Sequence, residues 1–118
     1  MFMIDAIVRP NKLDAVKSAL ANLGILGMSA LECRGFGKQL GHTERYRGSR
    51  ADIGFVPKVI LKVCVKTEDK DRAVKAIVEA ARTGGAVGGG AVGDGKIFVY
   101  PIAEVIRIRT GEKDEIAI

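Results

Sequence analysis

Apolar and polar side chains alternate from the start of the chain. Phe2, Ile4, Ala6 and Val8 fall on one side, and Met3, Asp5, Ile7 and Arg9 on the other, as far as Pro10. A period of two is that of a β-strand with one buried face, and proline stops it because it has no N–H to give to a ladder. The period then changes. Leu13, Val16, Leu20 and Leu23 make the apolar stripe of a helix that Asn11 can cap and Gly24 can end. Residues 28–36 read as a second strand, and Val59, Leu61, Val63 and Val65 mark a third. Thr67, Glu68 and Asp69 open a second helix at its positive dipole end. Val74, Ile77, Val78 and Ala81 line one side of it, and Arg82 stands near its C-terminus. Residues 96–100 form a fourth strand, which Pro101 separates from a short extended run at 103–109.

The order β-α-β-β-α-β predicts the ferredoxin-like α+β arrangement, a four-stranded antiparallel sheet with both helices on one face. The other face then carries Met3, Ile7, Ile60 and Cys64 beside charged residues. An apolar face of that kind calls for a cover, and a subunit interface supplies one. The connection between the second and third strands, about residues 37–56, far exceeds the roughly 2–5 residues of an ordinary hairpin loop. It holds Lys38, His42, Glu44, Arg45, Arg47, Arg50 and Asp52, with glycines at 37, 41, 48 and 54 as hinges.

A length of 118 residues bounds the chain to one domain, 1–118, and leaves much of its surface exposed unless it oligomerises. The apolar content of 47% with only 5% aromatics means a core of Val, Ile, Leu and Ala instead of a stacking surface. The formal charge of +5 suits anionic ligands or acidic partners, although a basic surface alone does not choose between them. The Lys and Arg residues are scattered and no aromatic-plus-basic strand motif appears, so nucleic acid is not an expected partner. Cys33 and Cys64 form no CxxC pair, and the only histidine is His42, so neither zinc nor a disulfide framework is expected. No apolar run is long enough to span a bilayer and there is no signal-peptide core, which gives the expectation of a cytoplasmic protein without membrane insertion.

Residues 83–100, TGGAVGGGAVGDGKIFVY, run from the second helix into the Lys-led fourth strand. Glycines allow positive φ and bring backbone N–H groups close to an anion, and Lys96 adds a charge that reaches phosphate oxygens. Read alone, such a stretch serves equally as a phosphate loop or as a surface linker.

The balance shifts with the company it keeps. Gly93-Asp94-Gly95-Lys96-Ile97-Phe98-Val99, Val105-Ile106-Arg107-Ile108-Arg109-Thr110-Gly111-Glu112, Gly35-Phe36-Gly37, Gly41-His42-Thr43-Glu44 and Tyr46-Arg47-Gly48 occur in order over nearly the whole chain. Together these segments resemble the PII family of nitrogen-status signalling proteins. The resemblance implies a homotrimer with ATP or ADP in the clefts between subunits. It assigns the nucleotide to Ser29, Gly37, Lys38, Cys64, Gly93, Gly95, Lys96, Arg107 and Arg109. Arginines two residues apart leave one face of an extended segment and fork onto phosphate oxygens. The family's second ligand, 2-oxoglutarate, is implied at Gln39 and Lys58. The Gln39 carbonyl oxygen would be offered to a magnesium ion shared with ATP, and the Lys58 ammonium to the distal carboxylate. Residues 37–56 correspond to the T-loop, which docks on a nitrogen-metabolism target such as an ammonium channel or a regulatory enzyme. No nucleophile, base or paired-carboxylate site stands out, so the expectation is a sensor and not an enzyme. A nucleotide-hydrolysing enzyme on the same cleft is the reading from another class.

The chain departs from the family in several places. Lys38 stands where arginine is common, Ser29 where threonine is usual, and Lys62 where the position is usually acidic. The tyrosine that receives a uridylyl group in many bacterial members is Ala51 here, which has no hydroxyl, whereas Ser49 matches a serine phosphorylated in some cyanobacterial relatives. The family's Thr-Gly-x-x-Gly-Asp-Gly-Lys is Thr83-Gly84, then residues 85–92, then Gly93-Asp94-Gly95-Lys96, so eight residues replace two. Gly85-Ala86-Val87-Gly88 recurs as Gly90-Ala91-Val92-Gly93. Either the added residues loop outward or the nucleotide grip changes. With Lys62, this insertion motivates an alternative: a divergent sensor of another adenine nucleotide or a small anion.

Overall fold

The computed structural model describes residues 1–37, 54–84 and 89–118. The two-residue periods become strands β1 (Phe2–Val8), β2 (Met28–Gly35), β3 (Val56–Val65) and β4 (Gly95–Pro101), and the helical stripes become α1 (Leu13–Asn22) and α2 (Lys70–Ala81). The strands form one sheet in the order β2-β3-β1-β4, with every neighbouring pair antiparallel. This is the ferredoxin-like α+β fold.

Both helices cover one face. Ile4, Ala6 and Val8 of β1 and Leu61, Val63 and Val65 of β3 pack with Val16 and Leu20 of α1 and Ala73 and Ile77 of α2, all of them buried. Each such side chain contributes about 1.5–3 kcal/mol over leaving it in water, so this layer holds the sheet to the helices. The α2 stripe is rotated slightly from its expected line. Ala73, Ile77 and Ala81 are its buried positions, and Val74 and Val78 are half-buried at its edge.

The opposite face of the sheet is open. Met3, Ile7, Ile60 and Cys64 lie half-buried on it as expected, joined by Leu31, Phe98 and Tyr100, each 40–50% exposed. Cys33 and Cys64 are both free thiols on strands, and burial pushes the Cys64 thiol pKa up.

Three local expectations are corrected. Asn11 does not cap α1. Proline at position 10 starts a single 3-10 turn, Pro10–Lys12, which puts Lys12 at the cap position without a side-chain bond. Thr67–Asp69 likewise forms a 3-10 turn ahead of α2, in which Asp69 accepts from Arg72 instead of from a backbone amide. The stretch after Pro101 is not one extended run. It turns over 108–110 and folds back, with Ile106 bridged to Lys113 and the Arg107 N–H donating to the Glu112 carbonyl at 2.9 Å. Gly24, with φ +82, ends α1 as expected, because only a residue without a Cβ takes that conformation cheaply.

Candidate functional site

Antiparallel pairing places Val8 opposite Gly95, so the next residues outward, Arg9 and Asp94, meet beyond the end of the sheet. Gly95 is forced at this point. Its φ is +112, and a Cβ there would lie 1.7 Å from the Ile7 carbonyl oxygen, which the backbone cannot yield. The loop therefore enters β4 pressed against β1.

Asp94 is the hub of that loop. Its carboxylate accepts from the Thr83 N–H (3.0 Å), the Thr83 hydroxyl (2.8 Å), the Ala91 N–H (2.8 Å) and Arg9 Nε (3.1 Å). Arg9 also donates through Nη2 to the Val92 carbonyl at 2.9 Å. Burial by itself would push the Asp94 pKa up, but these donors together outweigh it and hold the carboxyl well below the usual carboxylate range. The Asp94 N–H returns a bond to the Ala91 carbonyl at 3.1 Å, closing a four-residue turn whose third position is Gly93 with φ +99.

Lys58 meets this loop from β3. It is 7% exposed, and its Nζ donates to the Gly93 carbonyl. Burial and then the neighbouring Arg9 charge lower its pKa, partly offset by Asp94. Its alkyl stem crosses Gly35, where a Cβ would come within 3.2 Å of Lys58 Cγ, so the glycine leaves room for the lysine. Beside it, Phe36 and Phe55 pack edge to face with centroids 6.1 Å apart and brace the two ends of the long β2–β3 connection.

A cavity of about 560 Å³ opens between these parts, and Gly37, Lys58, Gly93, Gly95 and Lys96 all line it. Five of the expected site residues, from both ends of the long connection and from the glycine run, thus line one cavity. Ile7, Phe36, Val92 and Phe98 line it as well, and so does Asp94, whose charge is already taken up by Arg9 and the loop donors; the glycine backbone with Lys58 and Lys96 beside it is the part suited to an anion.

Four expected residues lie elsewhere. Ser29 on β2 faces Lys62 across the strand pair, and Cys64 is two positions further along β3, all on the open face. Lys62 Nζ donates to Asp5 Oδ1 at 2.9 Å, Tyr100 donates to Asp5 Oδ2 at 2.9 Å, and the bond to Asp5 raises the Lys62 pKa. Arg107 is held within its own segment by Glu112 Oε1 (2.6 Å) and the Ile116 carbonyl (2.9 Å), while Arg109 is exposed in the turn. The two arginines do not share one face of an extended strand. Lys38, Gln39 and Ser49 lie outside the described residues.

Sequence reasoning missed Arg9 and gave Asp94 no role beyond its motif. An Asp between two glycines was the available signal, because its short side chain bonds nearby backbone amides readily. Arg9 becomes visible only when β1 is paired with β4.

Comparison with known proteins bears on this arrangement. The model of the family described as "Nitrogen regulatory protein P-II" matches residues 1–112. The chain is 50% identical over 118 residues to the nitrogen regulatory protein P-II of Pasteurella multocida, covering 100% of both chains, and equally to nitrogen regulatory protein P-II 1 of Escherichia coli K12. Its structure is similar to that of Arabidopsis thaliana PII bound to citrate, with a TM-score of 0.78 and 38% identity over 99% of this chain and 91% of the plant one. With matches of that length, and with residues 35–37, Lys58 and the Ala91–Lys96 end of the glycine run lining one cavity, the chain belongs to the nitrogen regulatory P-II family.

Proposed function

We propose that this chain is a cytoplasmic, homotrimeric regulator of nitrogen metabolism. In this reading it binds ATP or ADP and 2-oxoglutarate in clefts between its copies and acts on a target protein through residues 37–56. The observation that carries the proposal is the shared cavity, where the base of the long connection, Lys58 and the Gly93–Lys96 segment face one another. Gly93 and Gly95 line the cavity with no side chain between backbone and ligand, and Lys96 stands beside them to add charge. Ser29, Cys64, Arg107 and Arg109 sit away from that cavity within one chain, which fits a cleft whose second wall comes from a neighbouring copy. The half-apolar open face of the sheet agrees with such an assembly.

Lys58 would couple the ligands. Its ammonium holds the Gly93 carbonyl, and a carboxylate of 2-oxoglutarate at the base of the long connection would draw it away. Gly93 and the loop base would then move together, and the target would read the change as a different loop shape. When bound, magnesium would supply charge neutralisation, and Gln39 would hold it with its amide oxygen on the strength of the family resemblance. A target such as an ammonium channel or a regulatory enzyme belongs to the same proposal.

Titration calorimetry tests it. We expect 2-oxoglutarate to give heat only with magnesium-ATP present, and Lys58→Ala to lose that heat. Absence of ATP and ADP binding would overturn the reading. A sensor of another adenine nucleotide is favoured by one observation, the Lys62 cation engaged with Asp5 and Tyr100 where the family is usually acidic. Competition among adenine nucleotides separates the two, since a plain ATP/ADP preference removes the alternative.

A further inference from the structure

The long insertion in the glycine run has its two ends fastened to one carboxylate. The Thr83 N–H and the Ala91 N–H both donate to Asp94 Oδ2, at 3.0 and 2.8 Å. The two nitrogens therefore lie under about 6 Å apart, whereas two residues of extended chain reach about 7 Å. Gly84 alone is long enough to join Thr83 to Ala91. Joined that way, the run reads Thr83-Gly84-Ala91-Val92-Gly93-Asp94-Gly95-Lys96, which has the family's own spacing.

Resting on the nucleotide reading above, we infer that Asp94 is a positioning residue that clasps the insertion at its base, so that residues 85–90 add length without altering the grip of Gly93–Lys96 on phosphate. The duplicated Gly-Ala-Val-Gly supports the point, because its second copy supplies the Ala91 N–H and the Val92 carbonyl that the clasp uses. Arg9 completes it by bonding Asp94 and Val92 together and tying both to the end of β1. The Thr83 hydroxyl occupies the other carboxylate oxygen at 2.8 Å. Added length between two fastened ends costs little, since the free energy of loop closure grows only slowly with length.

The test compares a deletion of residues 85–90 with Asp94→Asn and Thr83→Val in the full chain, reading ATP and ADP affinity by calorimetry and amide exchange without nucleotide. We expect the deletion to fold with unchanged circular dichroism and to keep both affinities within about threefold. Asp94→Asn is expected to weaken both about tenfold, the size of one charged hydrogen bond lost from the loop. Thr83→Val should fall between them and Thr83→Ser should restore the wild-type value. Slow exchange of the Thr83 and Ala91 amides should survive the deletion and disappear in Asp94→Asn. A deletion that unfolds, or that loses nucleotide while the wild type binds it, overturns the inference. So do exchange rates indifferent to Asp94→Asn. If the wild type itself binds neither nucleotide, the functional reading fails, and the exchange experiment alone decides for or against the clasp.

Discussion

Two carboxylates gather donors on this sheet, Asp5 at the middle of β1 and Asp94 beyond the end of β4, and they do different work. Asp94 takes two backbone amides, a hydroxyl and a guanidinium from points up to 85 residues away, and with them fixes the course of a loop. Asp5 takes only side chains, Lys62 and Tyr100, from the strands on either side of β1. The first cluster shapes backbone. The second arranges side chains on an open face while the strands beneath are already held by their own ladders. Backbone donors make a local geometry that survives without a partner, whereas side-chain donors on an exposed face remain free to exchange for one.

The largest expected effect breaks the loop side of this comparison outright. Gly95→Ala must push a methyl into the Ile7 carbonyl and hold a non-glycine residue at φ +112, so unfolding in urea should lose about 3 kcal/mol or more. An unchanged midpoint would show that β4 does not press on β1 as described. Asp94→Asn comes next, at about 1–3 kcal/mol near neutral pH. Its folded pKa is depressed, so its contribution is complete above the unfolded value of 3.8 and is lost as pH falls below that. The variant should therefore show a shallower loss of stability in acid than the wild type.

The two lysines sharpen the contrast with smaller effects of opposite sign. Lys62 has a raised folded pKa, so its stabilising share is complete below 10.5 and is lost as pH climbs through the folded value above that. Lys58 has a lowered folded pKa. Its burial penalty is full below that folded value and is relieved as pH rises toward 10.5, so it makes stability increase with pH there. Urea midpoints against pH should lose the alkaline fall in Lys62→Met and lose the rise in Lys58→Met; identical profiles for both variants would refute the contrast. Smallest of all is Lys17→Ala, whose exposed partner Asp14 lies 3.9 Å away. It should change the unfolding free energy by under about 0.5 kcal/mol.

Much of the fold was legible because its signals are local. The alternation through β1 and β3 and the stripes of α1 and α2 state which face of each element is apolar, and burying those faces leaves few arrangements. The cap of α1 was misread because Asn11 and Pro10 both carry start signals, and the proline's fixed φ starts a separate turn. The C-terminal segment was misread because Ile106, Arg107, Ile108 and Arg109 alternate as a strand would, yet the pairing of Arg107 with Glu112 and Ile116 folds the stretch back. Of the site, Gly93, Gly95 and Lys96 were legible as residue types suited to an anion, and Lys58 only through the family resemblance. That Lys58 holds the Gly93 carbonyl was not, since nothing in either segment refers to the other.

The sequence by itself determined the order of elements, the apolar face of each and the family, for these depend on neighbours a few residues apart or on motifs read in line. The tertiary structure alone decided that Arg9 meets Asp94, that Lys58 reaches Gly93, and that both ends of the insertion converge on one carboxylate. Apart from the Ala91–Asp94 bond, which closes within one turn, those contacts join residues 11 to 85 positions apart, and the register of β1 against β3 and β4 brings Arg9 and Lys58 within hydrogen-bonding distance of the loop.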